Sequence, residues 1–197
     1  MITVSAPHSR PEADGHTIIY KLHILGNIDP THWQIRKCFR DSQHAIFILD
    51  LAKLEETDSL TGVPYLAAQL DLFARCMQPW TSFTYRNLTM ILVMVNADSL
   101  KTRLSQNGMT ASSYLSLVCA TYHTDDAIIY TNTSPDYHVV VKYILHLFNT
   151  TRDPNDDPYV SLYPHILSRM FDQQNIGFFM GMISDILFPQ PLTCTCF

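Results

Sequence analysis

The sequence predicts an α/β domain built on a mostly parallel β-sheet with flanking helices. Short apolar runs typical of buried strands alternate with segments of helical spacing, a pattern that favours parallel sheets. The length of 197 residues fits a single domain spanning 1–197. Hydrophobic residues make up 47% of the chain and charged residues 16%, so the chain can bury a full core.

Four segments have the character of β-strands. His16–Leu25 partly alternates apolar and polar residues and follows a polar N-terminal segment, residues 1–15. Ala45–Leu51 and Asn87–Val95 are apolar runs of the length and composition of buried parallel strands. Tyr159–Ile166 reads as a weaker strand near the C-terminus. We expect these strands to share one sheet.

Helical spacing of apolar residues separates these strands. His32–Gln43 can form a short helix, and Val63–Cys76 carries Pro64 near its start, where proline suits a helix. A further helix is predicted from His138. The last helix, Ile176–Leu187, opens a C-terminal helix and tail over 176–197. It is apolar on most of its circumference, which predicts burial on the sheet or under a partner.

Charge and hydropathy exclude several classes of function. The net charge of -5 and the pI near 5.9 create no basic field that would attract nucleic acid. The N-terminus lacks the pattern of a secretory signal, and no run of about 18 residues stays apolar. We therefore expect a cytoplasmic protein without a transmembrane span, or one held peripherally at a membrane.

Cysteine and histidine usage indicates neither a disulfide framework nor a metal site. The five cysteines form no CxxC pair, and the nine histidines show no HxxxH or HExxH spacing. His165 is interpreted as a strand-end residue. A Ser/His or Cys/His hydrolase is disfavoured, because no GxSxG or comparable nucleophile signature is present.

Five stretches carry a resemblance to one known family. They are KLHILGNIDPTHWQIRKCFRDSQHAIFILDL, ILVMVNADSL, KYILHLFN, LYPHIL followed by Asp172 and Asn175-Ile176, and the terminal CTCF. In this order they resemble the Ras-like domain of a heterotrimeric G-protein α subunit, from its third strand to its C-terminus. The corresponding family stretches are DVGGQ with the switch II helix and the next strand, ILFLNKxDL, the KYFIRDEFL-like helix, YPHFTCAVDTENI and CGLF. The resemblance implies a truncated, rearranged Ras-like sheet of the P-loop NTPase type.

The departures from this family remove the chemistry of GTP hydrolysis. The phosphate-binding GxxxxGK[ST] motif is absent. In the DVGGQ position Ile24 replaces the aspartate on the magnesium side, Gly26 and Asn27 stand for the two glycines, and Ile28 replaces the glutamine. Since isoleucine cannot orient an attacking water, we expect no catalytic residues and no cofactor.

The guanine-reading loop is also degraded. Asn96 is kept, Ala97 replaces the lysine, and the aspartate position falls on Ser99, with Asp98 one residue out of register. Residues 168–170 correspond roughly to the family's third guanine-contact motif, TCA. Asn96 and Asp98 could equally be turn formers in a loop, Asn96–Ser99, after the buried strand. The candidate residual nucleotide-binding residues are Gly26, Asn27, Asn96, Asp98 and Ser99.

The resemblance also implies two surfaces for protein partners. The switch II-like helix is the candidate surface for a Gβγ dimer or an effector, and the C-terminal helix and tail form the candidate surface for a receptor. CTCF also fits the prenylation pattern C-a-a-X, although no polybasic segment precedes it. The candidate partner-binding residues are Trp33, Ile35, Cys38 and Phe39 in the first surface and Ser184, Leu187, Cys194 and Phe197 in the second.

The leading hypothesis is a non-catalytic, Gα-like pseudo-GTPase that acts as a protein-interaction module in, or derived from, G-protein signalling. The alternative is a divergent guanine-nucleotide-binding GTPase with an unconventional phosphate site, which alone would bind GTP or GDP with Mg²⁺. A truncated gene copy that competes for α-subunit partners is a third reading. In all three, the strand that precedes the phosphate loop, and lies centrally in the Ras-like sheet, is missing. We therefore predict a rearranged sheet, with MITVS as one candidate for the slot, or a homodimer formed through exposed edges.

Overall fold

The computed structural model describes residues 2–7, 17–22, 44–59, 61–77, 89–119, 137–151 and 162–169, together with Gly177 and Gly181. The chain divides into two compact units, Met1–Ser42 and Gln43–Phe197. Each unit contains one sheet in its described part. The two units are considered separately below.

The N-terminal unit contains an antiparallel pair of strands. Strand β1 spans Ile2–Pro7 and strand β2 spans Thr17–Leu22, with Ile2 opposite Leu22. The strand predicted over His16–Leu25 is confirmed for its central residues. The interpretation of residues 1–15 as a merely polar segment was wrong for β1, where Ile2 and Val4 supply an alternating apolar pattern. MITVS thus pairs with β2 in a two-stranded sheet.

The second unit contains a parallel sheet of three strands. They are β3, His44–Asp50, β4, Thr89–Val95, and β5, Leu162–Ile166, in the order β3-β4-β5. Ile46 lies opposite Ile91, and Met90 lies opposite Leu162. The three strands predicted for this part are confirmed to within a few residues at their ends. The α/β class with parallel pairing is confirmed for this unit.

Two of the predicted helices are present nearly as expected. Helix α1 spans Tyr65–Met77, and the carbonyl of Pro64 accepts the N–H of Ala68 at its start. A single turn of 3-10 helix, Leu51–Lys53, leads from β3 toward it. The helix predicted from His138 spans Tyr137–Thr150 and is the last of the four described α-helices, α4. Both helices carry the apolar spacing from which they were predicted.

Two helices were not predicted. Helix α2 spans Ala97–Asn107, and helix α3 spans Ala111–Val118. The predicted loop over Asn96–Ser99 was wrong beyond its first residue, because Ala97, Leu100 and Leu104 share one buried side of α2. Gly108, with φ of 57°, takes the left-handed conformation between the two helices. In Asn96–Ser99, only Asn96 therefore lies outside regular structure.

The main core lies between one face of the parallel sheet and the four helices. Leu49, Leu92 and Met94 project from the sheet into this core, which side chains from all four helices complete. Three phenylalanine rings meet within it, with centroids 5.0–5.8 Å apart. Such tilted and edge-to-face pairs add to the burial of their area. These rings belong to Phe47, Phe73 and Phe148.

The opposite face of the sheet carries a second, smaller apolar cluster. Ile91, Val93 and Val95 of β4 alternate with the core residues of that strand and are at most 3% exposed. Leu167, directly after β5, joins them. Strand β4 is thus buried on both faces, as expected for a central parallel strand.

Several predictions fall on residues outside the described part of the chain. The helix over His32–Gln43 is one of them. Of the helix predicted over Ile176–Leu187, only Gly177 and Gly181 are described, and both are helical and exposed. No helix in the described ranges is long and apolar enough to cross a membrane.

Helix α3 provides a matched test of the core. Leu115 is buried and Leu117, on the same helix, is 61% exposed. Leu115→Ala should lower the free energy of unfolding by about 2–5 kcal/mol, because it removes buried methyl groups and leaves a cavity. Leu117→Ala should change it by less than about 0.5 kcal/mol. Urea unfolding followed by circular dichroism measures both, and equal losses would contradict this packing.

Candidate functional site

The polar residues of the second unit that merit attention lie at the carboxyl ends of the parallel strands. Asp50 ends β3, Asn96 follows β4, and Ser168 and Arg169 come shortly after β5. In open α/β sheets this edge is where ligands bind. It is therefore the candidate site.

Asn96 links the ends of two strands. Its side-chain Nδ2 donates a hydrogen bond of 2.8 Å to Oδ1 of Asp50, which also accepts the N–H of Ala52 at 2.9 Å. The backbone of Asn96 is left-handed, with φ of 61°, a conformation that asparagine adopts more readily than most residues. This turn carries the chain from β4 directly into α2. The asparagine is thus held from both its backbone and its side chain.

A tyrosine from α1 completes this network. The N–H of Asp50 donates to the Tyr65 hydroxyl at 3.2 Å. Burial raises the pKa of Tyr65, and this effect outweighs the hydrogen bond from Asp50, which lowers it. Tyr65 therefore stays protonated at neutral pH and acts here as a hydrogen-bonding strut.

The N-terminus of α2 is closed by the segment that follows β5. The N–H of Ala97 donates to the carbonyl of Leu167 and that of Asp98 to the carbonyl of Ser168, each at 3.2 Å. The N–H of Ser99 donates to the carbonyl of Asn96 at 3.1 Å. Free amides at a helix N-terminus bind phosphate and other anions. Here protein carbonyls already occupy them.

The carboxylate of Asp98 lies between two cations. Arg169 Nε is 3.4 Å from one oxygen, and Lys101 Nζ is 3.7 Å from the other. The Lys101 ammonium also lies 4.3 Å from the centre of the Tyr137 ring. Because these charged side chains are 40–76% exposed, water screens the pairs and each contributes little stability. The cluster nevertheless links α2 to the segment after β5.

The structure places part of the predicted nucleotide-binding set. Asn96, Asp98 and Ser99 lie together at the carboxyl edge, Asn96 in the turn and the other two in the first turn of α2. Residues 168 and 169, aligned with the third guanine-contact motif, are their neighbours through Asp98. The other candidates lie outside the described residues. These are Gly26, Asn27, Trp33, Ile35, Cys38, Phe39, Ser184, Leu187, Cys194 and Phe197.

Sequence reasoning missed Asp50 and Tyr65. Asp50 could have been found by the argument applied to Asn96, since it follows an apolar run of the length of a buried strand. Tyr65 gives no such signal, because it stands 15 residues further along the chain and only the fold brings it to Asp50. The pairing of Asn96 with Asp50 spans 46 positions and depends on strand order.

With this geometry established, the chain was compared with known proteins. No family model and no curated protein matches it. The likeness to G-protein α subunits therefore rests on the sequence stretches quoted above and carries expectations only.

The described residues contain no group of three histidine, cysteine or acidic side chains able to hold a metal ion. His165, interpreted as a strand-end residue, is the penultimate residue of β5, and burial lowers its pKa. Cys76, near the end of α1, is half-buried. Burial raises its pKa to about 11, against a smaller opposing effect of Arg75. Neither group has the activated character of a nucleophile or its base.

The left-handed turn at Asn96 can be tested with two substitutions. Asn96→Gly and Asn96→Ala both remove the hydrogen bond to Asp50, but only alanine is strained at φ of 61°. We expect Asn96→Ala to be less stable than Asn96→Gly by about 1 kcal/mol or more. Chemical denaturation measures the difference. Equal stability would contradict the backbone conformation.

The raised pKa of Cys76 predicts slow alkylation. At pH 8 a thiol with a pKa of about 11 holds roughly a hundredfold less thiolate than one with the ordinary value of 9.0. Iodoacetamide labelling of the native protein, followed by mass spectrometry of the Cys76 peptide, should be slower than in urea by about that factor. Equal rates in the two states would overturn this prediction.

Proposed function

We propose that this chain is a non-catalytic, Gα-like pseudo-GTPase that acts as a protein-interaction module. The proposal combines the family resemblance of the sequence with the state of the carboxyl edge. The resemblance implies surfaces for a Gβγ dimer, an effector or a receptor. The changes at the phosphate and switch positions remove the groups that hydrolysis of GTP requires.

The arrangement of the parallel sheet supports this proposal. Strands β3, β4 and β5 follow one another in space as they do in sequence. One half of a doubly wound sheet adds its strands in this way on one side of the switch point. The resemblance assigns the same three segments to consecutive strands of the Ras-like domain, so strand order and sequence likeness agree.

The observation that carries the proposal is the engagement of Asn96. It is the residue of the guanine-reading motif that this chain retains in register, and its amide is bound to Asp50 at 2.8 Å. The amides of Ala97 and Asp98 are likewise bound to carbonyls after β5. Polar groups that satisfy one another stabilise the edge, and a ligand would have to displace these bonds. This favours a structural edge over a nucleotide site.

The alternative is a guanine-nucleotide-binding GTPase with an unconventional phosphate site. It is favoured by the proximity of Asn96, Asp98 and Arg169 at the edge where α/β proteins bind ligands. Its cofactors would be GTP or GDP with Mg²⁺. The pairing of Asp98 with exposed cations is weak enough to be displaced by a ligand.

A nucleotide titration separates the two functions. The purified chain is heated with GDP or a non-hydrolysable GTP analogue, with and without magnesium, and heats of binding are measured in parallel. A ligand of the folded state stabilises it by about 2.7 kcal/mol at a hundredfold excess over its dissociation constant. We expect no shift at millimolar nucleotide. Saturable stabilisation that Asn96→Ala abolishes would establish the alternative.

A binding experiment tests the interaction function directly. Immobilised protein is exposed to a purified Gβγ dimer, and binding is followed by interferometry. We expect binding that Trp33→Ala together with Phe39→Ala weakens at least tenfold, because aromatic anchors dominate such interfaces. Leu117→Ala, an exposed apolar change on α3, is the matched control. Equal weakening by the control, or no binding, would refute this choice of partner.

A further inference from the structure

One side of β3 is an apolar strand edge to which the described part of the chain adds no further strand. There β3 pairs with β4 alone. Ile46 is 42% exposed and Ile48 is 51% exposed, whereas Phe47 and Leu49 between and beside them contact the core. Sheet edges are usually guarded by lysine, proline or a bulge. The strand HAIFILD contains neither lysine nor proline, and its single acidic residue is the last.

This strand is complementary to itself in the antiparallel direction. Pairing two copies about Phe47 sets Ile46 of each copy opposite Ile48 of the other, on the same exposed face. It also sets position 44, a histidine, opposite position 50, an aspartate, at both ends. Apolar cross-strand pairs and pairs of opposite charge both stabilise a sheet. No other antiparallel register of two such strands about a two-fold axis pairs all seven positions.

We propose that β3 is a homodimerisation edge, through which two copies of this chain form one continuous sheet. The two-fold pairing satisfies backbone N–H and C=O groups of both edges and covers the exposed isoleucines. A single strand pair buries a small area, so the dissociation constant should be on the order of micromolar. This inference is independent of the proposed function, because it needs neither a nucleotide nor a signalling partner.

The first test is the mass of the native protein as a function of concentration. Sedimentation equilibrium from about 1 to 200 μM should show a monomer–dimer equilibrium. Hydrogen–deuterium exchange at the two extremes should show protection of residues 44–50 that grows with concentration. A monomer throughout this range, or a dimer with unchanged exchange in β3, would overturn the proposal.

Substitutions in β3 test the register. Ile48→Lys should raise the dissociation constant on the order of a hundredfold, because the change occurs twice in each dimer. Combining it with Ile46→Glu should restore dimerisation, since each glutamate then faces a lysine of the other copy. Leu117→Lys, equally exposed but on α3, is the matched control and should leave the equilibrium unchanged. All variants are first checked for native circular dichroism.

The double variant decides between this register and any other use of the edge. Restored association supports pairing about Phe47. If Ile48→Lys has no effect, or if the double variant remains a monomer while retaining its fold, the proposed interface is wrong. The exchange measurement on the unmodified chain tests the same edge without any substitution.

Discussion

The double-sided burial of β4 is the constraint on which the second unit depends. Residues 90–95 are at most 3% exposed, so neighbours must supply hydrogen bonds on both edges and apolar cover on both faces. Strands β3 and β5 provide the hydrogen bonds, and four helices cover one face. An apolar run of this kind tolerates few charges, which is consistent with the low charged fraction of the chain. Once β4 is central, its carboxyl end necessarily lies between those of its neighbours.

The chemistry of the carboxyl edge follows from that position. The chain must leave β4 and start α2 within one residue, and Asn96 does so in a left-handed conformation. Its amide then reaches Asp50 at the end of β3, while α2 donates its first amides to the segment after β5. The same geometry that creates ligand sites in other open α/β sheets is here used to tie three strand ends together. A polar edge is therefore compatible with a purely structural role.

Loss of catalysis and retention of surface are physically separable in a protein of this kind. Phosphoryl transfer depends on a few precisely placed groups, and removal of one or two abolishes it. A protein-binding surface instead depends on the fold that presents it and on a few apolar anchors. A chain can therefore lose the first while its core and its outer faces persist. The pseudo-GTPase proposal rests on this asymmetry, and the proposed dimer edge would use a strand edge as a further surface.

The sequence alone determined the strands and helices whose periodicity is strong. Strands β3 and β4 and helices α1 and α4 were predicted because their own burial imposes a pattern on adjacent residues. Helix α2 was missed, since its polar composition shows the pattern only at Ala97, Leu100 and Leu104. The Asn96–Asp50 bond, the closure of α2 by Leu167 and Ser168, and the pairing of β1 with β2 were decided by tertiary structure. Each joins residues distant in sequence, and local pattern carries no information about which distant segment becomes the neighbour.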